Sequence, residues 1–236
     1  MIKLPKEKTI EGYTLSAIRA LFFGPWGIGK STFCSKFKNA IFIGTEKGLK
    51  GLDVHKLYVH NWEEFLEVVD KLLNTSHDFE TVVIDTIDNA VKFCTIYSCD
   101  KYKVDHPSDM KWGKGWELFQ REFETPILKL SVSDYGLIFT SHEKESEITK
   151  KGNIKILKIG PSFSNQARKI IGPFVDIIGH CYVDEIEVDG KIKERRYIEF
   201  EPTPYVEVKD RTGLLPASMP LRYVDFKKCF KEKKEE

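Results

Sequence analysis

Residues Gly24 to Ser31 read G-P-W-G-I-G-K-S, a complete G-x-x-x-x-G-K-[ST] phosphate loop, and the motif constrains the chain around it. Such a loop works only between a strand and a helix. Its glycines let the backbone curl until successive N–H groups point at a polyphosphate, and the helix adds the positive end of its dipole. The flanks supply both elements: Ala17 to Phe23 (A-I-R-A-L-F-F) is an apolar run of strand length, and Ser31 to Phe37 continues as a helix. Gly24, Pro25, Trp26, Gly27, Ile28, Gly29, Lys30, Ser31 and Thr32 are therefore expected to hold ATP. Lys30 would reach the β and γ phosphates, and the Ser31 hydroxyl would be a ligand of Mg²⁺.

Downstream, strand-like and helix-like segments alternate, which predicts an α/β domain with a mainly parallel sheet flanked by helices. Ala40–Gly44, Thr81–Ile84 and Gly136–Thr140 read as buried strands. Trp62–Leu73, Asp88–Tyr102 and Gly115–Val132, the last despite Pro126, carry apolar residues at helical spacing. The texture then changes to antiparallel additions. One hairpin is expected over Ile148–Ile159 about Lys151-Gly152-Asn153, and a second pairs Tyr182–Val188 with Arg196–Phe200 across Asp189-Gly190. Residues 1–226 are read as one domain and the Lys/Glu-rich residues 227–236 as a charged tail.

At 236 residues the chain suits one such domain and should bury roughly 70–75% of its unfolded surface. Lys plus Arg total 37 against 36 Asp plus Glu, so any nucleic-acid surface must be local. The five cysteines form no C-x-x-C pair, which fits reduced thiols better than a disulfide frame or a zinc site. With no apolar signal core at the N-terminus and no long apolar run, the expectation is a cytoplasmic protein without a membrane partner, in the host cytoplasm if phage-encoded.

T-V-V-I-D at residues 81–85 is an apolar strand ending in an acid, which makes Asp85 the second candidate for holding Mg²⁺. Thr86 follows, where many ATPases place a glutamate that activates water, so the base must come from elsewhere. In a doubly wound sheet the working residues gather at the carboxyl ends of strands. Glu46 directly follows such a strand; Asp88 and Glu143 compete with it.

The order phosphate loop, F-I-G-T-E-K-G-L, helix, T-V-V-I-D-T, helix, L-I-F-T-S-H resembles the core of RecA-like recombination ATPases. It looks closest to the short, core-only RecA-like proteins of phages, a group that includes single-strand annealing ATPases. The resemblance covers roughly residues 15 to 215. It implies that Glu46 is the catalytic glutamate and that His142, in Thr140-Ser141-His142, senses the γ-phosphate where RecA carries glutamine. It also implies that Lys209 and Arg211, in K-D-R-T-G, reach the γ-phosphate of a neighbouring subunit in a homo-oligomeric ring or short filament. Only about twenty residues precede the phosphate-loop strand, so the N-terminal filament-building region of RecA proteins is expected to be missing.

By position, the two loops that face DNA in RecA-like proteins fall near residues 101–116 and 143–160. Lys103, Lys111, Trp112 and Lys114 in the first, and Lys150, Lys151 and Lys155 in the second, combine phosphate contact with base stacking. The expected function is a Mg-dependent, DNA-stimulated ATPase acting on single-stranded DNA in phage recombination or replication, with a single-strand-binding protein as a further partner. The alternatives are a nucleotide-dependent scaffold with slow hydrolysis and, with less support, a small-molecule or nucleotide kinase. Kinases usually close an arginine-rich lid over the phosphates, and only Arg121 lies between residues 100 and 130.

Overall fold

Strands with no polar side, such as A-I-F-I-G and T-V-V-I-D, are stable only when both faces are covered, and the fold covers both. The computed structural model describes residue 7 and residues 12–150, 152–188 and 191–230. Its centre is formed by β1 (Arg19–Gly24), β2 (Ala40–Gly44), β3 (His55–Tyr58), β4 (Thr81–Asp85), β5 (Gly136–Lys150) and β7 (Ile177–Val188). These run parallel in the order β3-β2-β4-β5-β1-β7. Antiparallel β8 (Lys191–Glu199) and β10 (Ser218–Pro220) extend the edge beyond β7, β6 (Ile154–Pro161) pairs with β5, and β9 (Lys209–Asp210) pairs with the start of β7.

Alternate residues of each central strand feed two cores. Leu21 and Phe23 of β1 join the core beneath α2 (Trp62–Asn74), α3 (Ile87–Tyr102), α4 (Lys114–Ser131) and α5 (Asn165–Phe174). Ala20 and Phe22 join the core beneath α1 (Lys30–Cys34) and α6 (Tyr223–Cys229). The start of α2 is fixed by Asn61, whose side chain accepts from Glu64 N at 2.8 Å while Glu64 Oε2 accepts from His60 N at 2.7 Å. Trp62 then stacks on Phe65 and Phe123 at 4.7 and 5.8 Å between ring centroids. On the opposite face Phe226 of α6 packs edge-on against Phe22 and Phe33.

Several boundaries differ from those expected. The helix after the phosphate loop ends at Cys34, three residues early. The expected 136–140 strand and 148–159 hairpin are one structure, because β5 leaves the sheet at Glu143 and runs on to Lys150 paired with β6. In the second hairpin β8 begins at Lys191 and Arg196 faces Val183, while Asp189-Gly190 lies outside the described residues. Residues 227–230 are not tail: α6 runs to Cys229 and Phe230 is buried against Phe226, whereas 231–236 lie outside the described residues. Helix α5 has no counterpart among the expected elements; its buried Ala167, Ile170 and Ile171 form too short a stripe to stand out in sequence.

Beyond their last contacts with β1, both β5 and β7 project past the carboxyl edge of the sheet for roughly 25 Å, at about 3.3 Å per residue. The strand between them, β1, is the one that ends in the phosphate loop. The loop therefore lies between the bases of two projecting hairpins.

Candidate nucleotide site

The loop's glycines are required by its geometry. Gly27 and Gly29 have φ of 74° and 110°, a region that side chains disfavour. A Cβ at Gly24 would collide with the Cys181 carbonyl oxygen of β7, so no other residue fits there. Ile28 is buried, Pro25 is half-buried, and Trp26 and Thr32 are exposed. Lys30 is 7% exposed, and its Nζ donates to the Gly24 and Pro25 carbonyls, both at 2.9 Å. Burial pulls its pKa below the ordinary 10.5, against the opposing pull of Cys181, Asp85, Asp88 and Glu143. A buried ammonium held by carbonyls alone is under-compensated, and a polyphosphate is the partner that would complete it.

Asp85 enters the site because β5 lies between β1 and β4. Its Oδ2 accepts from Ser31 Oγ at 2.7 Å, and its Oδ1 accepts from Thr140 Oγ1, the residue opposite it in β5. This aligned carboxylate and hydroxyl are hard oxygen donors and fit Mg²⁺. Among the described residues no group of three or more His, Cys, Asp or Glu could hold a metal ion. Mg²⁺ would therefore complete its shell with waters and phosphate oxygens, as is usual for this ion.

Glu46 follows β2 and reaches back toward β5. Its Oε1 lies 3.6 Å from His142 Nε2, and its Oε2 accepts from Asn89 Nδ2 at 3.4 Å. His142 meets the 82%-exposed Trp26 edge-on at 5.4 Å, and its Nδ1 is buried without a partner. Thr86 offers a hydroxyl and no carboxylate, and its backbone is pinned to Thr45: its N–H donates to Thr45 Oγ1 and its carbonyl accepts from the same hydroxyl, at 2.9 and 2.8 Å. Glu46 is half-buried, and its contacts to His142 and Asn89 are long.

The competing acids are committed to other bonds. Asp88, 5% exposed, accepts from Ser141 Oγ at 3.1 Å, from His142 N at 3.3 Å and from Ser162 Oγ. It holds the strand on which His142 sits. Glu143 faces His180 Nε2 at 3.0 Å, and His180 Nδ1 faces Glu199 at 2.7 Å, so one buried imidazole ties the bases of both hairpins together. Sequence reading misses this triad because its members are 37 and 19 residues apart. It also misses the place of Asp88, which looks like an ordinary first-turn acid of a helix. Nearby thiols are inert: burial pushes Cys181 up to about 12 and raises Cys34 well above 9.0.

Lys209 and Arg211 are not at this chain's phosphate loop. β9 pairs with Ile177 and Ile178 at the start of β7, the opposite end of the sheet. Lys209 Nζ donates to the Gly172 and Val175 carbonyls at 2.8 and 2.6 Å, capping the C-terminus of α5. Arg211 shares Asp176 with Arg19, at 3.2 and 3.1 Å, and also donates to the Pro173 carbonyl. Within one chain Lys209 is therefore a cap of α5, its charge matched to orphan helix carbonyls, while its expected role is at the phosphate loop of a neighbouring subunit.

Of the expected DNA-facing residues, Lys103, Lys111, Trp112 and Lys114 are exposed around the start of α4. Trp112 is 97% exposed, on a backbone held at φ 61°. Trp116 belongs to the scaffold: its Nε1 donates to Ser108 Oγ and its ring packs on Phe119. Lys150 and Lys155 lie on the first hairpin, Lys155 paired with Glu147 at 2.8 Å, and Lys151 lies outside the described residues. No described helix is long and apolar enough to cross a membrane.

The chain is similar to the SPbeta prophage-derived uncharacterized protein YorG of Bacillus subtilis (strain 168), 25% identical over 159 residues. The match covers 64% of this chain and 48% of that protein, so the chain spans about half the length of this curated relative. The AAA domain family matches residues 16–212. That span runs from just before the phosphate-loop strand to Thr212 and takes in the loop, Glu46, Asp85 and His142; the chain belongs to the AAA domain family.

Proposed function

We propose that this protein is a RecA-like, Mg-dependent ATPase that acts as a homo-oligomer on single-stranded DNA in phage recombination or replication. The observation that carries the ATPase reading is the convergence of functional side chains at one edge of the sheet. Lys30 and Ser31 follow β1, Asp85 ends β4, and Glu46 after β2 meets His142 on β5 at 3.6 Å. Lys30 would bind the phosphates, Ser31 and Asp85 would hold Mg²⁺, and Glu46 would direct water. His142, whose Nε2 faces Glu46 at this edge, would sense the γ-phosphate through that pair.

The DNA part rests on Trp112, which is exposed among Lys103, Lys111 and Lys114, a combination that stacks bases and neutralises phosphates. Prophage origin of a relative supports the phage setting. The deciding experiment is ATP hydrolysis with and without single-stranded DNA, with Lys30→Ala as the control. Stimulation by DNA that disappears in Lys30→Ala supports the reading. Hydrolysis indifferent to DNA overturns the DNA part, and no hydrolysis under either condition overturns the enzyme.

A further inference from the structure

The second hairpin brings a basic residue to the phosphate loop of its own chain. A Cβ at Gly29 would lie 3.3 Å from Arg196 Nη1 and 3.9 Å from Leu221 Cδ2, so the guanidinium stands over the last glycine before Lys30. Arg196 is held there by its backbone. It faces Val183 across the β7–β8 ladder, and its carbonyl accepts from Leu221 N at 2.9 Å. The same hairpin touches the loop a second time where the Cys181 carbonyl abuts Gly24. Among the described residues no carboxylate forms an ion pair with Arg196; Arg121 and Arg195 are likewise without one, whereas Arg19, Arg168, Arg211 and Arg222 are paired, so what distinguishes Arg196 is its place over Gly29.

An exposed, unneutralised guanidinium beside N–H groups aimed at a polyphosphate has the planar donor fork that phosphate oxygens bind best. We propose that Arg196 is a phosphate-binding residue for ATP acting in cis, on the loop of the chain that carries it. This rests on the nucleotide-binding reading above and extends it to a residue outside the phosphate-loop motif. It also places the base of the second hairpin in contact with the bound nucleotide. Strand β8 would then be restrained by ATP in a way that it is not in the free protein.

The test is titration of the purified full chain with a fluorescent ATP analogue, alongside thermal melts. The expected result is binding about tenfold weaker in Arg196→Ala, with the melting temperature unchanged. Arg196→Gln keeps a long polar side chain without the charge and is expected to lose affinity to a similar extent. Lys193→Ala, on the opposite face of β8, should bind as the wild type does. Affinity unchanged in both Arg196 variants overturns the inference while leaving the nucleotide reading intact. A wild-type chain that binds no analogue overturns both. In mixtures with Lys30→Ala, a cis residue predicts no recovery of turnover by Arg196→Ala; recovery would move Arg196 to a neighbour's site and overturn the cis assignment.

Discussion

The two ends of the parallel sheet are both rich in charge, and they use it in opposite ways. At the amino end Asp176, with a side chain only 2% exposed, is shared by Arg19 and Arg211, and Lys209 caps α5, so each charge is answered within the chain. At the carboxyl end Lys30 has only carbonyls, the His142 Nδ1 has no partner, and Arg196 has no carboxylate among the described residues. Polar and charged groups left without direct partners raise the energy of a protein unless something else binds. The contrast separates scaffold from site within one chain, where Lys209 and Arg211 both make scaffold contacts.

Substitutions can break this contrast. The largest effect is expected from Lys30→Ala, which should abolish measurable ATP turnover and binding while leaving the fold intact by circular dichroism; retained turnover would detach the motif from the activity. Next, Glu46→Gln should bind ATP normally while kcat falls by about 10²–10⁴-fold, the range for loss of a general base. A milder loss would return the role to another group.

At the other end, Asp176→Asn should destabilise the protein by about 2 kcal/mol in urea unfolding. This lies below the full cost of breaking a buried pair, because both arginines reach water. ATP affinity of the folded fraction should not change. Arg211→Ala should cost about 1 kcal/mol or less, with kcat unaffected. Turnover lost at wild-type stability, and regained on mixing with Lys30→Ala, would instead make Arg211 a finger for a neighbouring subunit.

The smallest effect is a pH slope. Because the folded-state pKa of Lys30 lies below 10.5, the unfolded chain binds more protons between those two values, and stability rises with pH in that window. The difference in unfolding free energy between wild type and Lys30→Met should therefore shift toward the wild type as pH approaches 10.5.

Local chemistry made part of this legible. Phosphate-loop glycines, an apolar strand ending in Asp85 and the helical face of α2 are patterns a few residues long, set by backbone geometry and burial. Glu46 could be reached by rule, since it follows the end of a strand in a doubly wound sheet. The long β5 reads as two elements because its burial changes at the sheet edge: Gly136–Ser141 are buried without a break, His142 and Glu143 are half-buried, and a largely exposed run begins at Lys144. Periodicity registers that change and not the continuity of the strand.

Spacing along short stretches of backbone was enough to mark a phosphate loop between a strand and a helix, and to name the lysine, hydroxyl and aspartate that are candidates to hold the ligand. Which charges are spent on the fold depends on how distant segments pack. Lys209 is matched to carbonyls of α5, His180 joins Glu143 to Glu199, and Arg196 stands over Gly29. Electrostatic partnership falls off within a few ångströms of space, and nothing in the order of residues states which distant segments will come that close.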